Sequence, residues 1–370
     1  MDYYISDFNV LNPDAIALED SIMVKDSLTT AGSKILENFI APFNATVVDR
    51  LQNSNKDISG KTRMKEFGIS GIMENNQNSL SGSAEALNGN AVSCCLCNDL
   101  FGQYRREAAE NNLCYIHPTY GTVSRYGLIP LAPSMDQIGV LCKDISQGFS
   151  VLSVIAGNDP KDGAMFPERN YTYTNTLKKI KIGIPSNIVN QTDIKTRAAI
   201  NDFSKKFVNT EFNFDFFDVC KQTMYILSCA EISNNISRYD GIKFGYRSPD
   251  FIDLENLYIK TRTEALGIET KLAAIMGSMV LSAGQYQPYY EKAMKIRRLI
   301  KEALRFDSYD AIILPASMGS NLYENLSLYA IAVLAGLPSV SLSYNGCGIQ
   351  LIANVKNENA LLTAWEVVQQ

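Results

Sequence analysis

The sequence predicts an α/β fold, and two strand signals and two helix signals carry the prediction. Ile180-Lys181-Ile182-Gly183-Ile184 alternates apolar and polar residues at period 2 and closes on Pro185. Asp310-Ala311-Ile312-Ile313-Leu314-Pro315 is a short apolar run of the length a buried strand needs. Residues 192–209 read as a helix. A second helix starts near Pro288, which a first turn tolerates, and runs to about Leu304. It places Ala293, Ile296, Ile300 and Ala303 on one face. Strands mixed with long helices argue for α/β architecture.

The remaining elements follow in chain order. Ala15-Ile16-Ala17-Leu18 is a short apolar element. Thr29 to Ser33 reads as a turn, with a short helix reaching towards Pro42. Thr46 is placed to cap a helix that packs Val47, Val48 and Leu51 on one face. Residues 54–82 are rich in Asn, Ser and Gly and read mostly as loop, with one short element around Lys65-Glu66-Phe67. Residues 83–97 are small and apolar, as in a buried helix running into a strand. Leu326 to Leu342 is interrupted by Gly336 and Pro338, so it reads as buried helix and strand and not as a membrane span.

The chain has 370 residues, 46% of them hydrophobic and 20% charged, which is the composition of a globular protein. Its net charge of −5 argues against a dedicated nucleic-acid binder. Its single histidine, His117, excludes His-rich metal sites and leaves a Ser-His-Asp machine only one base. The start, Met1-Asp2-Tyr3-Tyr4, has no apolar core of a signal peptide, so a cytoplasmic location is expected. Eight cysteines include one C-x-x-C, Cys94 to Cys97, without a second pair at zinc spacing. Free thiols in a reducing compartment are the expectation.

Several segments, in order, resemble the amidase-signature family. They are Val24-Lys25-Asp26, Gly82-Ser83-Ala84, Pro118-Thr119-Tyr120-Gly121-Thr122-Val123-Ser124-Arg125 and Ser134-Met135-Asp136-Gln137-Ile138-Gly139. Ser237-Arg238-Tyr239-Asp240-Gly241, Leu281-Ser282-Ala283-Gly284 and Leu334-Ala335-Gly336-Leu337-Pro338 continue the likeness, which is greatest towards the A subunit of tRNA-dependent amidotransferases. The resemblance implies a mixed central sheet covered by helices. It also implies amide hydrolysis through a lysine, a bridging serine and a nucleophilic serine, without cofactor or metal. A desolvated lysine can act as a base, and backbone N–H groups before the nucleophile hold the oxyanion.

Residue by residue, the resemblance puts Lys25 on the family lysine, Ser79 on the bridging serine and Gln103 on the nucleophile. Asp99, Gly102 and Arg105 match the turn around the nucleophile and are candidate binding residues, whereas Phe101 replaces a glycine. The loop Asn76-Gln77-Asn78-Ser79-Leu80-Ser81 departs from the family's glycine-rich pattern. The family's cis peptide costs roughly 3–4 kcal/mol, so without catalysis a trans bond is expected there. The resemblance puts the substrate-pocket tyrosine and arginine on Met224 (or, with a one-residue slip, on Tyr225) and Ala273. An acidic residue is missing from a shortened stretch after Tyr329.

These departures predict a non-hydrolytic pseudoenzyme, a scaffold subunit partnered by B-subunit-like and C-subunit-like proteins or by another pathway enzyme. Direct nucleic-acid and membrane contacts are not expected. The alternative is an active amidase or amidotransferase subunit that uses Lys25 and Ser79 with a relocated nucleophile. Ser81, Ser83, Ser93 and Cys97 are substitutes to weigh. Ser83 serves more simply as a helix cap, and burial would make Cys97 inert. Lys292, Lys295, Arg297, Arg298 and Lys301 are either a contact for tRNA or an acidic partner, or one solvated helix face. Only 24 residues precede Lys25, and the loops before Ser79 and Leu334 are short. Residues 1–370 are therefore expected to form one domain, shortened at its N-terminus and internally.

Overall fold

Short runs of β-branched and small apolar residues supply the strands of one mixed sheet. The computed structural model describes residues 3–73, 79–175 and 179–369. The strands are β1 (Tyr4–Asp7), β2 (Ile16–Glu19), β3 (Ile58–Thr62), β4 (Cys94–Asn98), β5 (Cys114–His117) and β6 (Ile138–Cys142). They continue with β7 (Lys181–Pro185), β8 (Val208–Phe212), β9 (Ala311–Pro315), β10 (Ser339–Tyr344) and β11 (Cys347–Ala353). Their spatial order is β1-β3-β2-β4-β6-β5-β10-β11-β9-β7-β8. β3, β2 and β4 run parallel, as do β9, β7 and β8, while the centre from β4 to β9 pairs antiparallel.

Helices cover both faces. They are α1 (Thr46–Asn53), α2 (Gly82–Asn88), α3 (Gln103–Glu110), α4 (Ile145–Ile155), α5 (Ser186–Val189) and α6 (Ile194–Ser204). The remainder are α7 (Phe217–Ile236), α8 (Leu254–Ala265), α9 (Ile268–Leu281), α10 (Lys292–Ala303), α11 (Leu322–Ala335) and α12 (Glu358–Gln369). One core packs α1, α4, α6 and α12 against the sheet; another packs α7, α9, α10 and α11. The expected α/β class with a mixed sheet holds.

Several local expectations change. Most of the described residues in 54–82 lie outside helix and strand and a short 3-10 helix stands at Glu66–Gly68, but Ile58–Thr62 is a buried strand, paired on both sides, that the loop reading lacks. Its Gly, Ser and Lys residues hide the strand from a periodicity reading. The Lys61 ammonium is neutralised by Asp20 at 2.9 Å, with both side chains inaccessible to solvent. The helix read over 192–209 ends at Ser204, and Val208–Phe212 is an exposed edge strand. Thr46 is the first helical residue and not the cap; its hydroxyl donates to Asp159 at 2.6 Å. The second long helix begins as a π turn over Tyr286–Glu291 before α10. Among the described residues every peptide bond is trans, and no helix is long and apolar enough to cross a membrane.

Candidate active site

The parallel pairing of β2 with β4 sets Leu18 beside Leu96, so the C-terminal ends of both strands open on the same edge. The turn after β4 runs Asp99-Leu100-Phe101-Gly102 into α3. Gly102 has φ +86°, and a Cβ there would lie 2.2 Å from the Tyr329 ring, so only glycine fits. Asp99 accepts from the Arg105 backbone N–H at 3.0 Å and from Arg105 Nε at 2.9 Å, which ties off the first helical turn. The Arg105 guanidinium spends another donor on the Tyr329 carbonyl at 2.7 Å. Asp99 and Arg105 are thus a buried clamp on the turn, and neither lines the neighbouring cavity. Phe101 is buried within the apolar core beneath.

Gln103 opens α3 and lines a cavity of about 100 Å3 together with Lys65, Ser79 and Ser81. Its Nε2 donates to Glu107 at 3.0 Å. Glu107 also accepts from the Ser81 N–H at 3.0 Å and from the Ser81 hydroxyl at 2.6 Å. Burial pushes the Glu107 carboxyl above its ordinary range, against those three donors. Ser81, not Ser83, caps α2, accepting from Ala84 N–H at 3.2 Å. Ser83 is the second residue of the helix, 2.7 Å from the Thr62 hydroxyl and within reach of the Cys97 thiol. Burial raises the Cys97 thiol far above its usual value, so it is inert as a nucleophile. Ser93 donates to the Asp14 carbonyl at 3.0 Å, away from this edge.

Ser79 is exposed at the mouth of the cavity and also lines an adjoining one of about 310 Å3 with Lys65, Glu66 and Glu269. Asn76, Gln77 and Asn78, the first part of the loop that departs from the family pattern, lie outside the described residues. Lys65 is the lysine beside Ser79. Burial lowers its pKa, and the nearby Glu269 carboxylate works in the opposite direction. Lys25 is elsewhere. It is an exposed residue in the turn after β2, its N–H bonded to Asn44 at 2.8 Å, and it lines neither cavity. The structure therefore brings Ser79 and Gln103 together and leaves Lys25 outside.

Sequence reasoning missed Glu19. It ends β2, is almost wholly buried, and accepts from Asn98 N–H at 3.1 Å and from the Ser21 hydroxyl. Burial pushes its carboxyl up to about 7. The available signal was a charged residue closing the apolar run Ala15 to Leu18. Met224 and Ala273 are buried in the packing of α7 against α9. Tyr225 donates its hydroxyl to the Gly71 carbonyl. His117 is buried beside Gln137, and both desolvation and Arg105 hold its pKa well below the ordinary value. All eight cysteines are free thiols.

The chain belongs to the Amidase family, whose profile matches residues 15–362. Within it, this chain is 37% identical over 399 aligned positions to the A subunit of glutamyl-tRNA(Gln) amidotransferase from Lachnospira eligens, covering 96% of this chain and 83% of that protein. The same-named protein of Lachnoclostridium phytofermentans is 36% identical, covering 90% of this chain and 75% of its own length. The corresponding Thermotoga maritima protein superposes with a TM-score of 0.76 at 24% identity, covering 98% and 85% of the two chains, which bears on the fold alone. These relatives overturn the expectation of a non-hydrolytic scaffold. Over most of its length the chain follows proteins named as amidotransferase subunits, which favours the alternative of an active subunit.

Proposed function

We propose that this chain is an amide-cleaving subunit of the amidotransferase A type whose reaction centre has moved from position 103 to the mouth of the Ser79 cavity. The observation that carries the reading is the meeting of Ser79, Lys65 and Gln103 around one cavity, in a chain 37% identical to a protein of that type. Lys65 takes the role first given to Lys25. Its depressed pKa leaves more of the amine neutral, and a neutral amine can accept the proton of the Ser79 hydroxyl. Ser79 Oγ then attacks the amide carbonyl carbon. The C–N bond breaks, nitrogen leaves as ammonia with the proton from Lys65, and water releases the acyl group from the serine.

Gln103 does not enter the bond changes. Its amide braces Glu107, which holds Ser81 and so the segment that carries Ser79. Asp99, Gly102 and Arg105 keep the α3 turn in shape. Partner proteins like the B and C subunits follow from the same reading. The unbroken sheet from β1 to β8 supports treating the chain as one domain.

Ammonia release from glutamine and from simple amides tests the proposal. Ser79→Ala and Lys65→Met are each expected to lower release by about 10²–10⁴-fold, with Lys25→Ala leaving it unchanged. Absence of release by the native chain, alone and with the other amidotransferase subunits, would sink the reading. So would full activity in Ser79→Ala.

A further inference from the structure

We propose that the cavity beneath α10, with the exposed side of that helix, docks an acidic segment of a partner protein that carries an apolar anchor side chain. This goes beyond the amide chemistry and does not depend on turnover. The cavity holds about 530 Å3, within the range of pockets that bury a defined group. Tyr120, Phe166, Leu334 and Val355 give it an apolar wall, and Arg297, Arg298 and Lys301 stand on the α10 side. An occupant therefore needs an apolar body and a negative charge.

The cations are arranged for that charge. Arg297 is fixed in place by the Leu334 carbonyl at 2.7 Å and by the Ser134 carbonyl at 3.0 Å. Arg298 pairs with Glu302 at 2.7 Å, but their side chains are 80% and 55% exposed, so the pair contributes little and a partner carboxylate can compete for it. Lys292, Lys295, Arg298 and Lys301 recur every third residue, a spacing that steps about 60° round the helix each time, so they form an exposed strip that winds across its solvent side from Lys301 at the cavity.

Apolar surface continues outside the cavity. Met294 lines it and is 43% exposed, Leu299 is 44% exposed, and Tyr286 and Tyr289 on the preceding π turn are similarly open. A small anion would meet only solvent-screened cations and leave that surface wet. A polypeptide segment covers both, seating one side chain in the cavity with carboxylates along the strip. Nucleic acid fits less well. The chain carries a net −5, so it repels a polyanion as a whole.

The test uses the full chain and a synthetic Glu-rich peptide with one Phe and one Leu, followed by fluorescence anisotropy. Saturable binding that weakens with salt is expected, with affinity about tenfold or more lower in Arg298→Glu with Lys301→Glu, and likewise in Met294→Asp. These positions are exposed, and unchanged thermal melting verifies that the variants fold. No saturable binding at millimolar peptide overturns the proposal, as does equal binding of a Lys-rich counterpart or unchanged affinity in both variants. Binding of tRNA lost in the same variants would assign the surface to RNA instead. Dimerisation lost in Met294→Asp would assign it to a second copy. Either result overturns the proposal.

Discussion

Lys61 and Asp20 form an ion pair with no solvent access, and Lys61 also donates to the Leu28 carbonyl at 2.9 Å and the Thr29 hydroxyl at 2.6 Å. Removing one partner strands the other charge in the interior. Lys61→Met is expected to cost about 3–5 kcal/mol in urea unfolding, whereas exposed Lys25→Met should change stability by less than about 0.5 kcal/mol. Gly102 presents a steric version of the same sensitivity. Gly102→Ala must either leave φ +86° or push into the Tyr329 ring. A loss of about 1–3 kcal/mol is expected from equilibrium unfolding. A neutral result would show that Tyr329 yields easily.

At the scale of elements, α11 and α3 show how side chains end the helices that frame the site. The Asn321 side chain caps α11 by accepting from Glu324 N–H at 2.9 Å, and Gly336 closes its other end at φ +68°. Asn321→Ala should cost about 1 kcal/mol, read as a fall in the urea midpoint at constant slope. At α3 the cap is Gly102, which has no side chain, and Asp99 supplies the acceptors from outside the helix. That division of labour explains why Asp99, Gly102 and Arg105 stand together as a turn-holding group even where position 103 carries glutamine.

For the whole molecule, two buried groups bend the stability curve in opposite directions. The Glu19 carboxyl titrates near 7 in the folded chain, against 4.5 as its reference. The folded state therefore holds an extra proton between those values. This stability is complete below the reference value and lost as pH rises through about 7. His117 is depressed, so it stays neutral when folded while the unfolded chain takes up a proton below about 6.5. Its contribution is complete above that value and falls as the solution is acidified. Glu19→Gln is expected to flatten the decline in melting temperature between pH 4.5 and about 7, and His117→Asn the decline on acidification. An unchanged profile in Glu19→Gln would mean that the carboxyl is ionised without cost.

The sequence by itself determined the α/β class, the strands at Lys181–Pro185 and Ala311–Pro315, the family, and the absence of a serine at position 103. These are local properties, readable from short periodic runs and ordered strings of residues. Tertiary structure alone decided which polar residues share the site. The letters Val24-Lys25-Asp26 match a motif, yet β2 stops at Glu19, and its pairing with β4 brings Glu19 and not Lys25 to the Asn98 edge. Lys65 reached Ser79 without any string to mark it, because the strand β3, rich in glycine, serine and lysine, delivers the chain there. A strand of such composition is stabilised by its neighbours: Lys61 becomes acceptable in the core only once Asp20, 41 positions earlier in the chain, stands 2.9 Å away. A site assembled by such distant pairings has no signature in a linear window, and so it emerged only with the fold.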